Sequence, residues 1–376
     1  MNIKKTREYL AYYIKLKVMK HNESQNILEE NREKIDIKQK FILLFPIVLR
    51  GLEEILDEIK CLQSIKQSLL LSLQRNTLGG KNFRGLCVIE SLNSLLGRDL
   101  RENEFSEAAI LGWLIEILQG CFLMADDIMD NSSKRRGLEC WYREVGIARA
   151  FNDSQLLEAC IPLLLRKFYK AHPFYLDLLE LFREVTFLTE LGEQKDLLSS
   201  AEAKRIFSFD LKNYDFIVTY KTSFYSFYLP VKCALLLSGN LNEQANATTK
   251  RLSKLLGYYF QAQDDFLDCF GNYASLGKVG MDIEDNKCTW LVCQAKMTAT
   301  AEQLMFLEKH YGRRNQESVL KVKQLYREIG IPNMYQNFEE AMVEKIMTEI
   351  NGIDESTGMK KIIFFKFFKL IHKRSR

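Results

Sequence analysis

The chain carries the same acidic pattern twice, at residues 126–130 (Asp-Asp-Ile-Met-Asp) and at residues 264–268 (Asp-Asp-Phe-Leu-Asp). Residues four apart in a helix project from one face, so Asp126 and Asp130 would present their carboxylates about one turn apart. Asp127 would point roughly 100 degrees away and would support the other two carboxylates without sharing their face. The second motif repeats this arrangement with Asp264, Asp268 and Asp265.

Both motifs end apolar stretches, which places their carboxylates on a largely buried wall. Burying unpaired carboxylates is unfavourable by roughly several kcal/mol each unless cations compensate. Mg²⁺ suits such a wall, because it typically takes one or two carboxylates, waters and substrate phosphate oxygens. A single motif would more often be a solvated helix face, but its repetition favours a magnesium and diphosphate site. An EF-hand is disfavoured because acids at alternate positions and the central glycine are missing.

A diphosphate site also needs fixed cations, and several segments could supply them. Gly79 and Gly80 would let the backbone approach a phosphate closely, while the guanidinium of Arg84 offers a planar fork for two oxygens. Each lone basic residue is more often solvent-exposed than functional. The candidates are Lys81, Arg84, Arg135, Arg136, Lys221, Lys278 and Lys287.

The elements that must position these residues read as helices. Apolar residues recur at three- and four-residue intervals from Leu52 to Leu73, which predicts one long amphipathic helix that ends at the glycines of residues 79–80. Five more apolar stretches have helical length, and no series of short alternating strands appears. We therefore predict an all-α bundle with one domain over 41–376 and an N-terminal extension over 1–40.

The composition excludes several classes of protein. The chain has 376 residues with 53 basic and 49 acidic side chains, so no broad basic face for nucleic acid is expected. Nine cysteines without repeated CxxC spacing favour free thiols. No stretch approaches the roughly 20 apolar residues that span a bilayer, so no transmembrane segment is expected. The basic first twenty residues are a weak mitochondrial presequence or a solvated helix, which leaves cytoplasmic and mitochondrial locations open.

Longer motifs surround the aspartates: GGKxxRG over 79–85, LQxxFLxADDIMDxSxxRRGxxCWY over 118–142, YKTxFYSFYLP over 220–230, and QxQDDFLDxFG with GKxGxDIxDNKCxWL over 261–291. On these motifs the chain resembles farnesyl diphosphate synthase and its insect relatives among the trans-isoprenyl diphosphate synthases, including the terpene synthases derived from them. The resemblance implies an isoprenoid synthase helical bundle around a central diphosphate-binding cavity. It also implies a homodimer and three Mg²⁺ ions per active site, with other divalent ions as alternatives.

The resemblance further implies a role for each matching residue. The allylic diphosphate would be held by Arg135, Lys221 and Lys278, with Lys287 adding to the substrate site. Isopentenyl diphosphate would be held by Lys81, Arg84, Gln119 and Arg136. The metal ions would be bound by Asp126, Asp130 and Asp264, with assistance from Asp127, Asp265 and Asp268. The reacting centre would be lined by Lys221, Thr222 and Gln261.

The implied reaction begins with ionisation of dimethylallyl or geranyl diphosphate. The double bond of isopentenyl diphosphate attacks the cation, and proton loss then gives geranyl or farnesyl diphosphate. The family limits product length by bulk just before the first motif, where Phe122 is retained but Cys121 replaces the usual aromatic neighbour. The smaller side chain would deepen the tunnel, so products of ten, fifteen and twenty carbons stay open.

Several residues depart from the family pattern, and they leave other functions open. Glu193 stands where a glutamine is usual and would add a carboxylate near the carbocation, while Phe83 replaces an asparagine beside the isopentenyl site. A terpene synthase that ionises a prenyl diphosphate without coupling is therefore the alternative enzyme. Retention of Arg84 and Arg136 favours coupling. A non-catalytic partner subunit is a remote alternative, because both aspartate motifs are intact.

Overall fold

The computed structural model describes residues 36–202, 206–271 and 280–372 of the chain. The chain divides into two units, Met1–Phe45 and Pro46–Arg376, and only residues 36–45 of the first unit are described. The predicted N-terminal extension therefore lies almost entirely outside the described residues, and its boundary stays a prediction. Lys278, which was predicted in the allylic site, also lies outside them.

The described residues are mostly helical, which confirms the predicted all-α fold. The α-helices are α1 (Ile37–Glu58), α2 (Gln63–Thr77), α3 (Phe83–Leu96), α4 (Glu102–Met129), α5 (Trp141–Val145), α6 (Ile147–Tyr169), α7 (Tyr175–Glu202), α8 (Leu211–Ile217), α9 (Leu229–Leu237), α10 (Glu243–Phe270), α11 (Trp290–Thr298), α12 (Ala301–His310), α13 (Gln316–Ile329), α14 (Ile331–Asn351) and α15 (Lys361–Ile371). A π-helix (Val218–Tyr228) joins α8 to α9, and short 3₁₀ turns form at Ile206–Ser208 and Glu355–Thr357.

The stretch predicted as one long helix folds as two, because the chain turns between α1 and α2. Lys60 adopts a left-handed conformation with φ of 55°, and the amide of Cys61 donates to the Leu56 carbonyl at 2.9 Å. A left-handed residue with such a closing hydrogen bond ends a helix. The apolar residues keep their helical spacing across this turn, so their periodicity did not reveal the break. Helix α2 ends at Thr77, just before the paired glycines.

Helix α4 carries the first acidic motif at its C-terminal end. Trp113, Leu114 and Ile117 within it are fully buried. By length and composition α4 could cross a membrane, yet 78% of its most apolar window is buried inside the protein. The apolar character of this window therefore fits a core helix that packs against other helices.

A two-stranded antiparallel hairpin follows α4, and it pairs β1 (Lys134–Arg135) with β2 (Leu138–Glu139). Arg136 and Gly137 form its turn with φ values of 53° and 76°, the two positive values that a type I′ turn requires. The Ser132 amide donates to the Asp127 carbonyl at 2.9 Å at the end of α4. The tight turn thus keeps the paired arginines close to the first motif.

The π-helix carries Lys221, and two glycines let neighbouring helices approach its backbone. A Cβ on Gly192 of α7 would lie 2.6 Å from the Tyr220 carbonyl carbon and 2.7 Å from the Lys221 Cα. A Cβ on Gly257 of α10 would lie 2.6 Å from the Ser223 Cβ. π-Helical turns are rare and frequently occur at functional sites. This close packing fixes the position of Lys221 between α7 and α10.

We expect Gly192→Ala to destabilise the protein by roughly 1–3 kcal/mol, because the added methyl group would overlap backbone atoms of the π-helix. Gly352→Ala is the matched control, since the nearest atom to its added Cβ lies at 3.4 Å. Thermal unfolding followed by circular dichroism compares the two variants with wild type. An unchanged melting temperature for Gly192→Ala would contradict the close crossing of α7 and the π-helix.

Candidate active site

Arg135 binds the first acidic motif from the hairpin. Its Nε and Nη2 donate to Asp127 Oδ1 at 2.8 and 2.6 Å, and Nη2 also donates to Asp126 Oδ2 at 2.9 Å. Burial raises the pKa of the Asp127 carboxyl, and the positive charge of Arg135 opposes that shift. Asp127 therefore anchors Arg135, while Asp126 shares the same guanidinium.

Lys221 reaches the first motif from the π-helix. Its Nζ lies 2.7 Å from Asp196 Oδ2, 2.8 Å from Glu193 Oε2 and 3.6 Å from Asp126 Oδ1. Burial opposes the ammonium charge, but the surrounding carboxylates raise the pKa of Lys221 well above its ordinary value. Lys221 therefore remains a cation, held by acids from α7 and α4.

Lys287 brings a second ammonium group to the same carboxylates. Its Nζ lies 2.8 Å from Asp130 Oδ1 and 3.1 Å from Asp196 Oδ2. Burial disfavours ionisation of Asp196, yet Lys221 and Lys287 together lower its pKa to about 2. Asp196 is thus a buried anion shared by two lysines.

Asp196 was not selected from the sequence, and Glu193 was noted only as a departure from the family pattern. Both lie on α7 three residues apart, a spacing that places side chains on one helix face. Glu193 stands where a glutamine is usual in the resembling family, and Asp196 follows it in the same segment. The spacing of Glu193 and Asp196 was visible in the sequence, but only the fold brings this segment close to Lys221.

In the second motif, Asp265 is buried, and each of its carboxylate oxygens accepts a hydrogen bond. Its Oδ2 accepts from the Trp290 amide at 2.8 Å, and its Oδ1 accepts from Gln261 Nε2 at 3.0 Å. The Thr222 hydroxyl in turn donates to Gln261 Oε1 at 3.0 Å. Burial raises the pKa of Asp265 to about 7. This chain of hydrogen bonds fixes Thr222, the residue after Lys221 in the π-helix, against Gln261 of α10.

Asp268 holds the backbone that returns toward the site. It accepts from the amides of Asp282 and Met281 at 3.1 and 3.3 Å and is itself buried. Asp264, one helical turn earlier, is partly exposed. Of the three aspartates in this motif, Asp264 is therefore the one best placed to meet a ligand.

A second cluster of cations lies at the start of α3. Arg84 is buried, and Arg136 Nη1 donates to the carbonyls of Asn76, Thr77 and Leu78 at 3.1, 3.1 and 2.9 Å. Burial lowers the pKa of Arg136, and the charges of Arg135, Arg84 and Arg75 lower it further, against the opposing effect of Glu116. The surplus of positive charge around Arg136 favours the binding of an anion. Lys81 is exposed and Gln119 half-buried on the adjacent segments.

The two residues five and four positions before Asp126 differ in exposure. Phe122 is partly exposed and meets the ring of Tyr225 edge-on, with centroids 5.5 Å apart. Cys121 is buried, and burial together with the charges of Glu158 and Glu190 raises the pKa of its thiol to about 12. Cys121 is therefore an inert thiol that contributes only a small volume at this place.

The acidic side of the site fits a hard divalent cation. Three cations meet five acids there, namely Asp126, Asp127, Asp130, Glu193 and Asp196. Within the described ranges, the buried Glu193 Oε1 has no hydrogen-bond partner, and no three His, Cys, Asp or Glu side chains lie close enough together to hold a metal ion by themselves. An open row of carboxylates with surplus negative charge suits Mg²⁺, which completes its shell with waters and phosphate oxygens. Asp126, Asp130 and Asp264 would hold it.

Comparison with known proteins agrees with this geometry. A family model described as polyprenyl synthetase matches residues 66–329. A geranylgeranyl pyrophosphate synthase of Schizosaccharomyces pombe is 62% identical, over 93% of this chain and 100% of its own length. A farnesyl pyrophosphate synthase of the same organism is 44% identical, over 91% of this chain and 99% of its own length.

Solved structures lead to the same family. The T. brucei farnesyl diphosphate synthase in complex with a bisphosphonate has a TM-score of 0.85 at 33% identity, and the match covers 91% of this chain and 100% of that chain. The crystal structure of the same enzyme gives a TM-score of 0.82 at 32% identity, over 90% of this chain and 100% of that chain. The chain therefore belongs to the polyprenyl synthetase family and is a prenyltransferase of the farnesyl diphosphate synthase type.

Proposed function

We propose that the protein joins isopentenyl diphosphate to an allylic prenyl diphosphate with the help of Mg²⁺, and that its main product has twenty carbons. The observation that carries this proposal is the ion-pair network in which Lys221 and Lys287 share Asp196 and contact Asp126 and Asp130. The network brings fixed cations from two separate segments to the first acidic motif. These are the charges that an allylic diphosphate needs.

On the allylic side, Arg135, Lys221 and Lys287 would bind the oxygens of the diphosphate. Magnesium ions held by Asp126, Asp130 and Asp264 would supply further positive charge that stabilises the departing diphosphate. The lysines are fixed before the reaction by their carboxylate partners, so little reorganisation is needed as negative charge develops.

On the homoallylic side, Arg84 and Arg136 would bind the diphosphate of isopentenyl diphosphate, with Lys81 and Gln119 alongside. Arg136 is already fixed by three carbonyl groups at the end of α2. A lyase that releases a terpene from one substrate has no use for a second anion site. The second cluster of arginines, in which Arg84 is buried and Arg136 half-buried, therefore supports coupling over the terpene synthase alternative.

The wall before the first motif supports the proposed product length. Phe122 keeps one aromatic ring there, while Cys121 adds only a small side chain beside it. A smaller wall leaves more length for the growing prenyl chain. The greater identity to the relative named for a twenty-carbon product, 62% against 44% for the one named for a fifteen-carbon product, supports the same length.

We expect the purified protein to convert geranyl or farnesyl diphosphate and isopentenyl diphosphate into longer prenyl diphosphates when Mg²⁺ is present, and to stop when a chelator is added. Gas chromatography after phosphatase treatment identifies the products by chain length. Hydrocarbons or alcohols formed from one prenyl diphosphate alone, without phosphatase, would show that the protein is a lyase instead.

Asp126→Asn and Asp264→Asn should each lower kcat/KM by at least about a hundredfold, because each removes charge stabilisation at the breaking bond. Asp57→Asn is the control, since Asp57 is 66% exposed in its side chain and pairs only with Lys66 among the contacts described for it. The rates are measured with radiolabelled isopentenyl diphosphate. Full activity of both motif variants would refute the metal assignment.

Cys121→Phe should shorten the main product from twenty to fifteen carbons, because a second ring next to Phe122 would add bulk to the wall. Cys121→Ala adds no bulk and should leave the product distribution unchanged. Gas chromatography of the dephosphorylated products compares the variants. If Cys121→Phe gave the same chain lengths as wild type, the wall would lie elsewhere.

A further inference from the structure

Arg84 has unusual surroundings for a residue proposed to bind an anion. It is only 5% exposed. Its Nε and Nη2 donate to Ser226 Oγ at 3.0 and 2.8 Å, and Nη2 also donates to the Tyr225 hydroxyl at 3.0 Å. Within the described part of the chain Nη1 makes no comparable hydrogen bond. Two of the three guanidinium nitrogens are therefore fixed by the π-helix, and the third remains for a ligand.

The ring of Phe83 lies against the same guanidinium. The central carbon of Arg84 is 4.4 Å from the Phe83 ring centroid and 4.5 Å from the Tyr225 ring centroid. Both distances are well inside the range of cation–π attraction, which strengthens when the cation is removed from water. An asparagine, the residue usual at position 83 in the resembling family, has no ring face to offer.

Phe83 is itself fixed by an aromatic cluster. Its ring centroid is 6.2 Å from those of Phe227 and Phe260, and Phe227 lies 5.9 Å from Phe367 of α15. Phe227 and Phe367 are buried. The cluster thus connects the start of α3 with the π-helix, α10 and the C-terminal helix, so the Phe83 ring cannot turn away from Arg84 without disturbing several elements.

We propose that Phe83 is a positioning residue for the second substrate: it holds the Arg84 guanidinium so that its remaining nitrogen faces the diphosphate of isopentenyl diphosphate. This inference rests on the proposed function, because it assigns Arg84 to that substrate. Phe83 acts through Arg84 and does not itself bind the anion. Its effect should therefore fall on binding of the second substrate, with little effect on ionisation of the first.

Phe83→Leu tests the proposal in the full-length protein. Loss of the ring should raise KM for isopentenyl diphosphate about three- to tenfold, from the usual strength of a desolvated cation–π contact. Both kcat and KM for the allylic substrate should stay within about twofold of wild type. Phe83→Tyr keeps a ring face and should restore KM for isopentenyl diphosphate.

Phe367→Leu is the matched control, because it removes a ring from the same cluster at a residue without a described contact to Arg84. It should leave KM for isopentenyl diphosphate unchanged. If Phe367→Leu raised that KM as much as Phe83→Leu did, the effect would come from loosening of the core, and the proposal would be wrong.

A double-mutant cycle tests whether the effect runs through Arg84. In an Arg84→Gln background, which lacks the cation, Phe83→Leu should change KM for isopentenyl diphosphate by less than about twofold. An equal rise in both backgrounds would overturn the proposal. Wild-type protein that elongates no prenyl diphosphate would instead refute the proposed function, so the two failures are distinguishable.

Discussion

The buried carboxylate of Asp196 is the interaction on which the rest of the site depends. It accepts hydrogen bonds from Lys221 at 2.7 Å and from Lys287 at 3.1 Å, and it thereby connects α7, the π-helix and the segment before α11. Loss of one partner from a buried charge pair typically destabilises a protein by about 3–5 kcal/mol. The two lysines are therefore fixed by the fold, and their spacing next to Asp126 and Asp130 does not rely on flexible surface side chains.

Under the proposed function, substrate binding would be an exchange of partners. Each cation on the allylic side already contacts carboxylates, and the acids outnumber the cations. A bare diphosphate would add negative charge to a site that already has a surplus. A diphosphate that binds together with divalent cations would leave the aspartates to the metal and the lysines to the phosphate oxygens. The charge balance of the protein thus favours the metal complex of the substrate.

The features that depend on residues close together in the sequence could be predicted from it. The four-residue spacing of Asp126 and Asp130 and the helical period of the apolar stretches led to the all-α fold and to one acidic face. Long-range packing could not be predicted in this way: nothing local marks Asp196 as the partner of two lysines, and the apolar period runs through the break at Lys60. No sequence pattern predicted the π-helix either, because its wide turn depends on close packing against Gly192 and its neighbours. The homodimer and the presequence stay predictions.

Isothermal titration calorimetry with inorganic pyrophosphate tests the central claim most directly, because this probe has the charge of the substrate without its prenyl chain. We expect wild-type protein to bind pyrophosphate at least about tenfold more tightly with Mg²⁺ than with a chelator, because divalent cations would balance the surplus acids. Equal affinity under the two conditions would contradict it, since the lysines and arginines alone would then suffice to hold the diphosphate.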